Sequence, residues 1–294
     1  MSFRADRSSP TVRLLTASFG LLVVGAVGCV DERGDELVGN VIEAELSSPE
    51  PCDPSLVGDD EGPVTSVYAI KDGFLDGLCW GEPDETVTGA FEVLESVTVR
   101  EQLVDLHFVA GFDGGADTLA FVVPTDDDFR GFVMAIDTVS AVDDPGSLRL
   151  TVLHEFAHVF TQRNDQLDVW ADPDSCPTLW NGAGCFVPGS YIDDWISRFW
   201  SDDELRTLPF DAVDEEAGIE RCEIDPGFLG AYAASGPEED FAETYSAFVF
   251  DLDVAAGVEP RMAFFEDYPE LVQSRDLARQ SMIAAVPNLF DRCG

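Results

Sequence analysis

One short segment of the sequence has the residue types and the spacing of a metal site: His154-Glu155-Phe156-Ala157-His158. On a helix, histidines four residues apart lie one turn apart on the same face, so both imidazoles can reach one ion. This pattern favours Zn²⁺, with the glutamate next to the first histidine able to take a proton from a water molecule that attacks a carbonyl carbon. The segment therefore predicts a zinc-dependent hydrolase with Glu155 as the general base.

The alternative to a metal site is a buried helix that contains two histidines by accident. The chain has only 3 histidines among 294 residues, so a chance HExxH pattern is rare. The remaining histidine, His107, falls in a predicted strand, and we interpret it as a packing or surface residue. The scarcity of histidine favours the metal site.

A catalytic zinc ion needs a third protein ligand. In one common variant of the motif, HExxHxxGxxH, the third ligand is a histidine. That variant is excluded here, because Thr161 occupies the position of its glycine and Asn164 the position of its third histidine. Glu239 and Glu243 lie one turn apart in a later predicted helix; we predict that Glu239 binds the metal and that Glu243 accepts a hydrogen bond from a ligand histidine. Glu238 remains an alternative ligand, and a solvated acidic helix start remains the alternative for the whole segment.

The two motifs together resemble those of a known enzyme family. HExxH followed by Glu239-Asp-Phe-Ala-Glu243 is similar to the gluzincin metallopeptidases, and most similar to the group that includes the catalytic domain of anthrax toxin lethal factor. In that group a tyrosine stands seven residues before the ligand glutamate, a position that Tyr232 holds here. The resemblance implies zinc ligands His154, His158 and Glu239, the general base Glu155, an oxyanion-stabilising or proton-donating Tyr232, and Glu243 behind the ligands. An ordinary packing role remains the alternative for Tyr232.

The chain departs from this family between the two motifs. The stretch from His158 to Glu239 is longer than in lethal factor and contains Cys176, Cys185 and Cys222. Such an insertion can shape substrate binding, so the resemblance implies no substrate preference for this chain.

The N-terminal residues 1–28 have the pattern of an export signal. Arginines precede the apolar run Leu14–Val27, which is too short to span a bilayer comfortably. The run ends in Ala26-Val27-Gly28-Cys29, which resembles a bacterial lipobox. We predict cleavage before Cys29 and lipidation of that cysteine, so that the protein is exported and anchored to a membrane surface. An ordinary secretory signal and an uncleaved anchor are the alternatives.

The rest of the chain divides into a tether and a folded part. Residues 29–63 are acidic and contain prolines, which predicts a flexible tether, and residues 64–294 form the predicted metallopeptidase domain. Cysteines other than Cys29 are even in number, which predicts disulfides in an exported chain. We expect Cys176–Cys185 first, because its loop is short; Cys52–Cys79 and Cys222–Cys293 are the pairs then left, although sequence alone cannot choose among the connectivities.

The composition restricts the possible partners. The formal net charge of -42 argues against nucleic-acid binding through a basic groove, whereas 45% hydrophobic residues provide enough apolar material for a core. We therefore expect a peptide or protein substrate and a monomeric chain. An acidic cleft would favour basic peptides over acidic ones.

The hydrophobic pattern predicts an α+β fold. The resemblance implies a zincin-like fold with a mixed sheet over the active-site helix and a mainly helical C-terminal half. We interpret Gly131–Asp137 as an edge strand that could pair with a peptide, with an ordinary core strand as the alternative, and Ser147 as the N-cap of the active-site helix. Residues 164–230 are predicted to be rich in loops. The predicted strands are Val67–Ile70, Val104–Phe112, Leu119–Val123 and Gly131–Val139, and the predicted helices are Glu85–Glu101, Leu148–Gln162, Pro237–Phe250 and Pro269–Ala285.

Three functions compete at this point. The first is a membrane-anchored or secreted zinc metalloendopeptidase. The second is a catalytically inactive zincin-fold lipoprotein that only binds, and the third is an acidic surface lipoprotein that binds divalent cations and has HExxH by accident. The presence of both Glu155 and Tyr232 favours the first, because a binding protein has no need of a general base.

Overall fold

A computed structural model of the chain describes residues 52–58, 61–114, 118–143, 145–208 and 214–281, together with residues 286, 290 and 293. The predicted signal segment, Cys29 and most of the predicted tether lie outside the described residues. None of the helices in the described ranges has the length and apolar character needed to cross a bilayer.

The described elements follow an α+β order. The strands are β1 (Val64–Lys71), β2 (Phe74–Gly81), β3 (Leu106–Phe112), β4 (Ala120–Pro124), β5 (Phe132–Asp137), β6 (Leu167–Asp168) and β7 (Cys185–Phe186). The α-helices are α1 (Glu85–Val97), α2 (Thr138–Asp143), α3 (Pro145–Thr161), α4 (Tyr191–Phe199), α5 (Asp202–Leu205), α6 (Glu215–Ile224), α7 (Pro237–Val249), α8 (Glu259–Phe264) and α9 (Pro269–Gln280). The predicted mixed sheet and helical C-terminal half are confirmed.

The main sheet has five strands in the order β2-β1-β3-β5-β4. It is mixed, because β3 and β5 are parallel whereas the other neighbouring pairs are antiparallel. The interpretation of Gly131–Asp137 as an edge strand is wrong: β5 lies between β3 and β4, and all six of its residues are buried. The alternative interpretation, a core strand, is confirmed. In the described sheet β4 is the edge strand next to β5.

The sheet has an apolar core on each face. One face packs against the helices through a large cluster that includes Met134 and Phe156. The other face has a smaller cluster in which Val57 packs with Val67 and Phe108. Val57 follows a short 3₁₀ helix, Pro54–Leu56, that Asp53 caps, so residues 52–57 pack onto the sheet.

Helix α3 lies between the sheet and α7, and every residue from Val152 to Thr161 is buried. Its aromatic contacts show this position: Phe160 packs edge-on against Tyr245 of α7, with 5.1 Å between ring centroids. The helix begins at Pro145, so Ser147 lies within it and is not its N-cap. Proline suits the first turn of a helix, where its missing N–H has no carbonyl partner.

The region predicted to be rich in loops also contains helices. Helix α4 begins after Ser190, whose side chain caps it, and buries Trp195; α5 and α6 follow. Sequence analysis missed these helices because each is short, with four to ten residues. All three expected disulfides are present, joining Cys52 to Cys79, Cys176 to Cys185 and Cys222 to Cys293.

Candidate metal centre

Helices α3 and α7 bring three metal-binding side chains together. His154 and His158 project from one face of α3, with 3.1 Å between their Nε2 atoms. Glu239, in the first turn of α7, places Oε2 at 2.9 Å from His154 Nε2 and 3.5 Å from His158 Nε2. Although the residues are far apart in sequence, these three atoms form one compact triangle, and each residue offers one ligand atom.

The triangle has the dimensions of one face of a tetrahedral zinc site. With zinc–ligand bonds of about 2.0–2.1 Å, neighbouring ligand atoms in a tetrahedron lie about 3.3–3.4 Å apart. The observed separations of 2.9, 3.1 and 3.5 Å bracket that value. In addition, Glu239 Oε2 is buried and no well-aligned hydrogen-bond donor faces it, although both imidazole Nε2 atoms lie within 3.5 Å; a cation between these atoms would satisfy all three. The donor set therefore fits Zn²⁺.

The electrostatics of the metal-free residues reflect the same proximity. Burial tends to lower the pKa of His158, but the adjacent Glu239 carboxylate outweighs burial and raises this pKa to about 9. Burial tends to raise the pKa of Glu239, but the two histidines outweigh it and hold that pKa far below its ordinary range. Without metal, a proton on the histidine thus takes the place of the positive charge that the carboxylate requires.

Glu155 lies beside the metal-binding triangle and on the wall of a cleft. Its side chain is buried, and it lines a cavity of about 300 Å³ together with His154 and Tyr232. Burial raises the pKa of Glu155, an effect that the nearby histidines reduce. A carboxylate with a raised pKa in a cleft next to a metal suits a general base, because it can hold the proton that it takes.

Tyr232 lies across the same cleft, just before a 3₁₀ turn that leads into α7. Its ring centroid is 5.8 Å from that of His154, and 44% of the residue is exposed. Desolvation and the nearby carboxylates of Glu239 and Glu155 raise the pKa of Tyr232, so the phenol stays protonated at neutral pH and can donate a hydrogen bond. Because Tyr232 is exposed and lines the cleft, its position does not match the alternative of a tyrosine packed in the core.

Glu243 lies one turn after Glu239 on α7 and also lines the cleft. Burial raises its pKa to about 7. Within the described residues no hydrogen bond joins Glu243 to either histidine, and its Oε2 is buried without a partner. The expected hydrogen bond from a ligand histidine is therefore absent from this arrangement, although Glu243 lies close to the site.

The neighbouring Glu238 points away from the triangle. Its Oε1 accepts hydrogen bonds from Gln162 Nε2 at 3.1 Å and from Asn181 Nδ2 at 3.0 Å. Gln162 follows α3, and Asn181 belongs to the loop closed by the Cys176–Cys185 disulfide. Because these two amides hold the Glu238 carboxylate, the geometry supports Glu239 and not Glu238 as the third ligand.

Asp240 completes a run of three carboxylates that face three directions, and sequence analysis assigned it no role. It is fully buried, and its Oδ2 accepts hydrogen bonds from Trp195 Nε1 at 2.9 Å, Trp200 Nε1 at 3.0 Å and Arg261 Nε at 3.0 Å. These partners come from two other segments of the chain, α4 with its C-terminal cap and α8. The sequence offered one indication of this role: Asp240 is an acidic residue at a position of the predicted helix that faces the core.

Comparisons with known proteins add little to this geometry. No protein-family model matches the chain, and no curated protein matches it. The chain is similar to a crystal structure from Bacteroides caccae ATCC 43185 of a protein provisionally described as a zinc-binding metallo-peptidase. The similarity covers 67% of this chain and 73% of that chain, with 15% identity and a TM-score of 0.35. A likeness at this level supports no conclusion about activity, which has to be argued from the site.

Proposed function

We propose that this protein is a zinc-dependent metallopeptidase that hydrolyses peptide bonds. The observation that carries the proposal is the convergence of His154 Nε2, His158 Nε2 and Glu239 Oε2 on one point at the edge of a cleft lined by Glu155. Three protein ligands with a carboxylate base beside them are the arrangement of hydrolytic zinc sites, which keep the fourth position for water or substrate.

Each side chain then has a defined task. The zinc ion, when bound, polarises the substrate carbonyl and makes water more acidic. Glu155 takes the proton of the attacking water and passes it to the leaving amine. Tyr232, protonated and facing the cleft, donates a hydrogen bond to the oxygen that becomes negative as the carbonyl is attacked. His154, His158 and Glu239 fix the position of the metal.

The cleft also has a surface that suits an extended substrate. Leu119 and Ala120, at the start of β4, line it together with the metal-binding face of α3. Since β4 is an edge of the described sheet, its outward-facing backbone groups are available to pair with a peptide. Sequence analysis had assigned the pairing with a substrate peptide to β5; we now assign it to the edge strand β4.

The gluzincin resemblance, including its lethal-factor-like form, supports the same assignment of residues. The HExxH motif, Glu239 on the second helix and the tyrosine seven residues before it are the residues on which this resemblance rests. An inactive binding protein is less well supported, because it gives no reason for a buried carboxylate at position 155 beside three metal-binding side chains.

The decisive experiment compares the wild type with Glu155→Gln. Both proteins are stripped with a chelator and reloaded with Zn²⁺; the bound metal is then counted by mass spectrometry, and cleavage of a denatured protein mixture is measured. We expect one zinc ion per chain in both and a loss of activity of about 10²–10⁴-fold in the variant. Glu223→Gln, at an exposed position on α6, is the matched control. Equal cleavage by wild type and Glu155→Gln would exclude the mechanism.

We further propose that the protein is exported and anchored through a lipid on Cys29. The proposal is supported by the lipobox-like sequence and agrees with three disulfides, which form in oxidising compartments outside the cytosol. Incorporation of labelled fatty acid into the wild type, with loss of label in Cys29→Ser, is the expected result. A wild-type chain that takes up no label would contradict lipidation without affecting the proposed catalysis.

A further inference from the structure

The cleft beside the metal-binding triangle has apolar walls and a polar floor. Leu119, Ala120, Leu150 and Phe290 supply apolar surface, while Ser246 and Glu243 of α7 and Thr118 supply polar groups. The lining comes from the start of β4, from α3 and from α7, and His154 and Glu155 lie at its metal-binding end. Its volume of about 300 Å³ has room for one long side chain.

Two hydroxyl groups that line the cleft donate their protons to acceptors within the protein. Ser246 Oγ lies 3.1 Å from the carbonyl oxygen of Leu150 and 3.1 Å from that of Ala242, so its single proton is donated to the backbone. Thr118 Oγ1 donates to Glu61 Oε2 at 2.8 Å. Since a hydroxyl has one proton and two lone pairs, Thr118 can offer only lone pairs to a ligand, whereas Ser246 is fully buried.

The charged groups of the lining are of one sign. Glu155 and Glu243 are the carboxylates, and no lysine or arginine occurs among the described residues that line the cleft. Glu243 has a buried Oε2 without a hydrogen-bond partner, so no donor of the described chain compensates its charge on that side. Apart from the Tyr232 hydroxyl at the metal-binding end, a ligand that enters this cleft therefore meets mainly acceptors, and the charged groups of the lining are negative.

The distance from the metal-binding residues to Glu243 sets the length of a substrate side chain that can reach Glu243. Glu243 follows the candidate ligand Glu239 by four residues, and Leu150 precedes His154 by four, which corresponds to about 6 Å along each helix axis. A side chain of that reach, projecting from a residue next to the scissile bond, would pass along Leu150 and end near Glu243. Arginine and lysine have such reach, with an apolar stem and a charged end.

We propose, on the basis of the proposed peptidase function, that this cleft selects substrates with arginine or lysine next to the scissile bond. The methylene groups pack against Leu150 and Leu119, and the cationic end donates hydrogen bonds to the Glu243 carboxylate. Arginine and lysine are the side chains with several donors and no acceptor, and so they match a floor made of acceptors. An apolar side chain would cover the Glu243 carboxylate without supplying a donor, and an acidic one would be repelled.

The test uses peptides that differ only in charge at one position. Two sets carry arginine or its neutral isostere citrulline on either side of a single cleavable bond, and kcat/KM is measured for wild type, Glu243→Gln and Glu238→Gln. We expect the wild type to prefer arginine by at least tenfold on one side of the bond. In Glu243→Gln this ratio falls about tenfold, because the charged acceptor is gone. In Glu238→Gln, whose carboxylate faces Gln162 and Asn181, the ratio stays that of the wild type.

Other outcomes overturn the inference. A wild type without a charge preference excludes it. So does a Glu243→Gln variant in which arginine and citrulline peptides lose activity equally and zinc is bound more weakly, since Glu243 then only supports the metal site. If no peptide is cleaved, the proposed function fails first; equilibrium binding of both peptides to zinc-loaded Glu155→Gln then decides the cleft inference alone, with equal affinities excluding it.

Discussion

Asn181 donates a hydrogen bond from Nδ2 to Glu238 Oε1 over 3.0 Å, which links the disulfide-closed loop to the first turn of α7. Asn181 is itself held, because its Oδ1 accepts hydrogen bonds from the backbone N–H groups of Ala183 and Gly184. We predict that Asn181→Ala lowers the free energy of unfolding by about 1.5–3 kcal/mol, the usual value for a hydrogen bond to a charged group. Urea unfolding of the zinc-loaded protein measures this change.

Asn181→Asp is the matched comparison. It keeps the size of the side chain but places a second carboxylate against Glu238, so we expect a larger loss of stability than in Asn181→Ala. The affinity for zinc should stay within about threefold of the wild type in Asn181→Ala, since Glu238 holds no metal. A tenfold loss of zinc affinity in that variant would show that the loop acts on the metal site itself.

Adjacent carboxylates on α7 should differ sharply in their effect on metal binding. Glu239→Gln removes a charged ligand, and we predict that zinc affinity, measured by competition with a chelator, falls by about 100-fold or more. Glu238→Gln should bind zinc nearly as well as the wild type, because amides of Gln162 and Asn181 hold that side chain. The reverse result would make Glu238 the ligand.

Metal binding should depend on pH through His158. Zinc binds neutral imidazole, whereas the Glu239 carboxylate outweighs burial and raises the pKa of metal-free His158 to about 9. The apparent zinc affinity should therefore rise by about tenfold per pH unit from about pH 7 to about pH 9 and level off above that. Calorimetric titration at several pH values measures the slope, and an affinity independent of pH over this range would contradict the prediction.

The same pKa shift makes the stability of the metal-free protein depend on pH. Because the pKa of His158 in the folded state lies above its unfolded value of about 6.5, the stabilisation is complete below that value and is lost as the pH rises through about 9. Thermal unfolding of the metal-free protein should therefore shift to lower temperature between pH 6.5 and 9. In Glu239→Gln, which lacks the carboxylate that raises this pKa, the shift should be smaller.

The buried pair of Asp240 and Arg261 should matter more for stability than for chemistry. Arg261 is 4% exposed and Asp240 is 0% exposed, so removal of Arg261 leaves Asp240 without a cation, and removal of Asp240 leaves Arg261 with only the half-exposed Asp225 as an anionic partner. Asp240→Asn should lower the free energy of unfolding by about 3–5 kcal/mol. The double variant Asp240→Asn with Arg261→Met should recover part of this loss; additive losses in thermal or urea unfolding would show that the two charges do not interact.

Tyr232 should act on turnover and not on metal binding. Tyr232→Phe keeps the ring beside His154 and removes only the hydroxyl, so we predict a fall in kcat of about 10²-fold, little change in KM and full zinc content. Steady-state kinetics on one peptide together with metal analysis checks this. A variant with wild-type kcat would return Tyr232 to the role of a packing residue.

Local sequence patterns were sufficient for the elements that have regular periodicity. The active-site helix, the second helix and the inner strands were predicted close to their observed ranges, because each is a largely apolar run next to a turn or a proline. Strand β2 was missed, since its residues are largely exposed, Gly77 interrupts it and Gly81 ends it. Helix α8 was missed because only six residues form it and it is stable only through the buried contacts of Arg261 and Phe264.

At the site, the sequence by itself determined the part that lies within one helix. The spacing of His154 and His158 places both on one face of any helix, and Glu155 follows from the same motif. It also restricted the third ligand to neighbouring acids. Which acid faces the metal was decided by the tertiary structure, because successive helical residues point about 100° apart and only packing fixes the rotation of α7. Glu239 meets the histidines since Glu238 is held by amides on one side and Asp240 by Arg261 on the other.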